Sequence, residues 1–181
     1  MSNSDCRIWW ILVYKVPSEP TRLRAAVWRD VHHLGAVYLQ DGVCLIPDVI
    51  DMELNLDALR EKIVGMGGRA WTFRAQSNAT GQDADLEGLF RESTADELAQ
   101  TRNEARTLLR HLEDARGHFD IEGEELARSE GEIRRLHSFL QSIRGRLFFQ
   151  DPLVDEIEAT LYRCHALLKE GGEKSEMGDK G

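Results

Sequence analysis

The chain has 181 residues, a mass of 20.6 kDa, 41% hydrophobic and 30% charged residues, and a formal net charge of −9. That length buries one good core, or a small core with a helical appendage, and excludes large multidomain architectures. No apolar run approaches the roughly 18 residues of a membrane span, and Met1 to Arg7 is polar where a signal peptide would be apolar, so the sequence reads as soluble and cytoplasmic, with no membrane partner.

Ile8 to Val16 is β-branched, aromatic or aliphatic almost without interruption, the pattern of a central strand covered on at least one face. Ser18 then offers an N-cap and Pro20 a first-turn proline, while Leu23, Val27, Val31 and Leu34 recur at helical spacing until Gly35 stops the helix. Ala36 to Gln40 and Val43 to Pro47 flank Asp41-Gly42, the pair that tolerates the positive φ angles of a type I′ hairpin turn. Leu56, Leu59, Ile63 and Met66 mark a second amphipathic helix ending at Gly67-Gly68, and Arg69 to Ala75 alternates as a fourth strand. The order β-α-β-β-α-β is the ferredoxin-like α+β arrangement, one antiparallel sheet backed by two helices on a single face, over residues 7–76.

The linker Gln76 to Gly81 is small and polar, and beyond it the strand signals end. Residues 83–170 read as an all-α antiparallel region of three helices. Thr94 to Glu97 has the form of a capping box ahead of Leu98, Ala105, Leu108, Leu112, Ala115 and Phe119. A second stripe runs from Leu126 through Ile133, Leu136, Leu140 and Ile143 to Leu147, and a third, after Asp151-Pro152, from Leu153 to Leu168. Residues 171–181 are rich in Gly, Lys and Glu and read as a disordered tail.

Three sets of residues carry candidate chemistry. Residues 1–80 hold nine basic and nine acidic side chains, so the whole negative excess lies beyond them. Arg7 to Arg29 contains five basic residues against Glu19 alone, a composition that allows one local basic surface. Arg22 and Arg29, seven apart on one helix face, with Lys15, Arg24 and Trp28 beside them, offer guanidinium forks to phosphate or to a tetrahedral dianion and an indole to stack. The plainer reading pairs these arginines with Glu19 and Asp30 and lays Trp28 over the sheet edge. A second basic cluster is Arg134, Arg135, Arg144 and Arg146. It is either a further phosphate contact or a helix C-terminus answering the macrodipole, with Phe148 and Phe149 packed on the first domain.

Catalytic signals are missing. There is no GxSxG, HExxH, phosphate-binding glycine loop or dinucleotide fingerprint, and Gly65 to Gly68 ends a helix where a phosphate loop would open one. The small ferredoxin-like nucleases of CRISPR systems use an Asp at the end of the first strand, a place held here by Tyr14-Lys15-Val16. His32 and His33 point about 100° apart on a helix. His118-x-Asp120-x-Glu122 has ligand residues but sits in an interhelical turn. Cys6, Cys44 and Cys164 show no CxxC spacing, and Cys44 alternates as a core residue. The expectation is a non-enzyme without metal or cofactor.

The run WWILVYKVPSEPTRLRAAVWRDVHHLGAVYLQDGVCLIPD (Trp9 to Asp48), the Gly-Gly ahead of Trp71-Thr72-Phe73, and IRGRLFFQDPLVDEIEATL (Ile143 to Leu161) resemble the N-terminal domain of the chromate resistance protein ChrB family over about residues 8–168. The resemblance implies a bacterial cytoplasmic regulator that binds DNA to control chromate-resistance genes. With only three or four phosphate contacts per chain, a homodimer is expected as well. Full-length members of that family continue into a second domain absent here, so a separate protein carrying it is an expected partner. The residues also leave open a protein-interaction or scaffold module, built on the acidic helices, and a chromate-oxyanion-binding accessory protein.

Overall fold

The computed structural model describes residues 7–79, 81–117 and 123–178. β1 (Ile8–Lys15), α1 (Thr21–His33), β2 (Val37–Gln40), β3 (Val43–Pro47), α2 (Met52–Gly65) and β4 (Arg69–Gln76) are followed by α3 (Gln82–Gly117), α4 (Gly123–Arg144) and α5 (Pro152–Gly178). The four strands form one antiparallel sheet in the order β2-β3-β1-β4, with the most apolar strand inside it. This is the ferredoxin-like arrangement that the alternation of periods two and 3.6 predicts.

The chain divides into two compact units. One takes in the described residues up to Ser93 together with Gly145–Phe149, and the other takes in Thr94–Arg144 and the residues from Gln150 on. In the first unit, Trp10 and Leu12 of β1 and Cys44 and Ile46 of β3 pack with Val27 and Val31 of α1 and with Met52, Leu56, Leu59 and Ile63 of α2. Each large side chain so buried contributes roughly 1.5–3 kcal/mol. The period-two alternation of β1 sends Trp9 to the opposite face, where it clusters with Val37, Leu45 and Phe90. The indole of Trp9 stacks on Phe90 at 5.8 Å and 16°, and Phe149 meets Phe90 edge-on at 5.7 Å. The sequence sets the end of the sheet domain at residue 76. The structure adds the first turns of α3 and the segment 145–149, because two helices on one face leave Trp9, Val37 and Leu45 uncovered on the other.

Asp83 fastens that second face. Its Oδ1 accepts the Ser77 hydroxyl at 2.6 Å and the Trp9 indole N–H at 2.7 Å, and its Oδ2 accepts the Arg7 backbone N–H at 3.2 Å. The Ser77 hydroxyl, then the indole, hold the carboxyl below the usual carboxylate range. A depressed pKa stabilises the fold above the unfolded carboxylate value of about 4 and loses that contribution as pH falls through the native value. Thermal melts taken through the acid range are expected to show a part of the fall in melting temperature that Asp83→Asn lacks. Parallel curves for the two proteins would remove Asp83 from that account.

Local differences from the sequence reading have physical causes. α1 begins at Thr21 with Pro20, not Ser18, at the N-cap, and the Pro20 carbonyl accepts the Leu23 N–H at 3.0 Å. Proline disfavours helical backbone in the residue before it, so Glu19 cannot start the helix. At the β2–β3 turn only Gly42 takes a positive φ, +73°, so the turn is not the type I′ expected. A register shift between Tyr38 and Gln40 supplies the local twist instead. Thr94 lies in the interior of α3, which starts twelve residues earlier at Gln82, so Thr94 and Glu97 do not cap it. α5 continues through Gly171 to Gly178, into the stretch expected as a tail. Glu, Lys and Met there are good helix formers, and residues 179–181 lie outside the described residues, as do Cys6 and His118-x-Asp120-x-Glu122.

In the second unit, α3 and α5 run parallel and α4 runs antiparallel to both. The ion pairs Arg106–Glu156 and Glu113–Arg163 advance together along α3 and α5. Glu104–Arg135 and His111–Glu125 run in opposite senses along α3 and α4. Leu109, Leu112, Ile133, Cys164 and Leu168 form one cluster of the core between them. No helix is long and apolar enough to cross a membrane among the described residues.

Candidate functional site

The buried stripe of α1 is Val27 and Val31, which fixes where its other residues point. Arg22 and Arg29 lie on the side away from the core, and Arg24, Trp28 and His32 follow at four-residue intervals along one flank. All three arginines are exposed, and Trp28 is 53% exposed. The ion pairs that would neutralise them do not form. Asp30 forms an ion pair with Lys62 of α2 at 2.6 Å, and among the described residues no carboxylate pairs with Arg22, Arg24 or Arg29. Trp28 does not cover a sheet edge but stacks on His32 at 5.2 Å and 23°.

Arg146, expected within the second basic cluster, belongs to the first unit and reaches α1. Its guanidinium donates to His32 Nε2 at 3.1 Å, so this nitrogen carries a lone pair. Gly35 makes the approach possible. It ends α1 with φ +69°, and a Cβ on it would stand 2.8 Å from both the Arg146 carbonyl oxygen and Phe148 Cε2. Gly35→Ala is expected to destabilise the protein by about 2 kcal/mol, from the left-handed backbone and the overlap together. Urea titration measures this, and a loss under about 0.5 kcal/mol would show that the segment yields freely.

The remaining predicted residues lie elsewhere. Lys15, at the end of β1, stands in register with Arg69 of β4 and lines a shallow cleft with Pro17, Gly68 and Arg69, apart from the arginine rows of α1. Arg134, Arg135 and Arg144 are in the second unit and each has a carboxylate partner: Glu130 at 3.6 Å, Glu132 at 2.7 Å together with Glu104, and Glu158. Hydrogen bonds from Arg135 hold the Glu104 and Glu132 carboxyls below their usual range. The second cluster is therefore tied into ion pairs, within α4 for Arg134 and between helices for Arg135 and Arg144, and only Arg146 joins the exposed rows. The groove beside Arg135 also contains His111 and Glu125, 2.8 Å apart, and carries both signs of charge.

Cys44 is fully buried, and burial pushes its thiol up to about 12, the behaviour of a core residue. Among the described residues no three His, Cys, Asp or Glu side chains come together to hold a metal ion. The contact of Arg146 with α1 has no signal in the sequence, since 114 residues separate it from His32.

Comparison with known proteins places the chain in a family. Residues 24–175 match the family described as "Protein ChrB, N-terminal", a span that starts within α1 and ends within α5. A relative named Protein ChrB, from Cupriavidus metallidurans, is 30% identical over 94 residues, which are 52% of this chain and 29% of that protein. The chain thus covers less than a third of the length of that relative, and no solved structure matches it. With the family match extending over most of its length, this chain belongs to the ChrB N-terminal family.

Proposed function

We propose that this chain is a non-catalytic, cytoplasmic regulator of chromate-resistance genes that holds duplex DNA through the outer face of α1. The observation that carries the reading is the set of unneutralised cations on that helix. Arg22, Arg24 and Arg29 have no carboxylate partner among the described residues, while Arg106, Arg135, Arg144 and Arg163 each pair with one on a neighbouring helix. In a protein of net charge −9, an arginine face left open is the feature that an anionic partner explains. Guanidinium forks suit phosphate oxygens, and Trp28 beside them supplies a flat apolar surface at the groove. Membership of the ChrB N-terminal family, and the likeness of Trp9 to Asp48 to chromate-resistance regulators, support the biological setting.

Fluorescence anisotropy on the promoter fragment of a chromate-resistance operon, against a scrambled duplex and across a salt series, tests this. Three phosphate contacts per chain give a slope of log K against log salt of about −3, doubled for two chains bound together. A salt-independent null result from a folded protein would sink the DNA reading. Chromate bound in calorimetry without any DNA affinity would instead identify the arginine face as an oxyanion site.

A further inference from the structure

The two edges of the sheet differ sharply. β2 has four residues and is broken by the register shift at its end, which is how an edge is normally kept from pairing. β4 has eight residues, pairs with β1 along its whole length on one side, and among the described residues has no strand on the other. On the face opposite α1 and α2 it carries Trp71 and Phe73, 50% and 53% exposed, in register with Val13 and Ile11. An unbroken edge strand with two half-exposed aromatic side chains on one face is an interaction surface.

The geometry points to a second copy of this chain as its occupant, added by antiparallel β4–β4 pairing about a two-fold axis at Thr72. The strand Arg69-Ala70-Trp71-Thr72-Phe73-Arg74-Ala75-Gln76 is self-complementary about that residue. Trp71 of each copy then faces Phe73 of the other, Arg69 faces Ala75, and Ala70 faces Arg74, so aromatic pairs form twice and no like charges meet. Arg74 is already neutralised within its own chain by Asp48. One symmetric contact satisfies both the outward backbone groups and the aromatics, as an isologous interface does. The two-fold axis stands perpendicular to the sheet, so both copies of α1 lie on the same side of one eight-stranded sheet. This stands without the DNA reading, and where that reading holds it doubles the arginines offered to one duplex.

Sedimentation velocity of the full chain, from micromolar to near-millimolar concentration, is the test. Wild type is expected to dimerise, and Trp71→Lys or Phe73→Lys to raise the dissociation constant on the order of a hundredfold while leaving the melting curve unchanged at concentrations below the wild-type dissociation constant, where both proteins are monomers. In a Cys6→Ser background, Thr72→Cys is expected to give a disulfide-linked dimer on mild oxidation, because opposed Cα atoms of an antiparallel pair are about 4.5–5.5 Å apart. A monomer at every concentration would overturn the proposal. So would a dimer indifferent to both lysine variants, or a monomer that binds single-stranded oligothymidylate through Trp71.

Discussion

Trp9→Ala is expected to cost about 4 kcal/mol of unfolding free energy in urea titration at neutral pH, the scale of deleting a large buried aromatic side chain. Trp9 is 1% exposed and stands at the centre of the second sheet face. The variant removes the stack on Phe90, the tilted contact with Phe149 at 6.5 Å, and the indole N–H that Asp83 accepts. Trp9→Phe keeps most of the apolar area and loses the donor, so a loss of about 1–2 kcal/mol is expected for it. Amide exchange locates the damage: faster exchange is expected at Leu86 to Phe90, and not at Val27 or Ile63, which belong to the other face. A loss below about 1 kcal/mol for Trp9→Ala would mean that the second face adds little to stability.

Reversing two charges on α1 is expected to act on binding and leave folding alone. Arg22→Glu with Arg29→Glu removes two phosphate contacts and adds two repulsive carboxylates, so duplex affinity at low salt should fall on the order of a hundredfold. The salt slope should flatten by about 2. Because neither arginine pairs with a carboxylate among the described residues, the double variant should melt within about 2 °C of wild type. Arg135→Glu is the matching control. It breaks the pairs with Glu104 and Glu132 in the second unit, and should lower stability while DNA affinity holds. Equal loss of affinity from both variants would show a response to net charge and not to this helix face.

The fold was largely legible because its signals are local. Ile8 to Val16 reads as a strand, Val27 and Val31 as a buried stripe, and Asp41-Gly42 as a reversal, each decided by residues within a few positions. The ferredoxin-like sheet then follows from element order. The turn itself was less legible, since Asp-Gly fits more than one turn and the register shift at Tyr38 decides between them. What covers Trp9 could not be read, because Phe90 and Phe149 are 81 and 140 residues away. The same holds for the basic residues. Spacing placed Arg22 and Arg29 on one face of α1, but whether an arginine is free or neutralised depends on distant carboxylates. Glu104 and Glu158 take up Arg135 and Arg144, and Lys62 takes Asp30 away from the α1 arginines.

The segment Gly145–Phe149 has a consequence for how the protein is made. Its residues complete the sheet unit, yet most of the helical unit precedes it in the chain. During synthesis from the N-terminus, the strands and α1 leave the ribosome roughly 70 residues before Phe148 and Phe149 do. Until they emerge, Trp9 and Phe90 lack part of their cover and Arg146 is not yet beside His32. Synthesis of α3 and α4 therefore separates the sheet from the last of its aromatic cover. The basic face of α1 gains Arg146 only after α3 and α4 have been made.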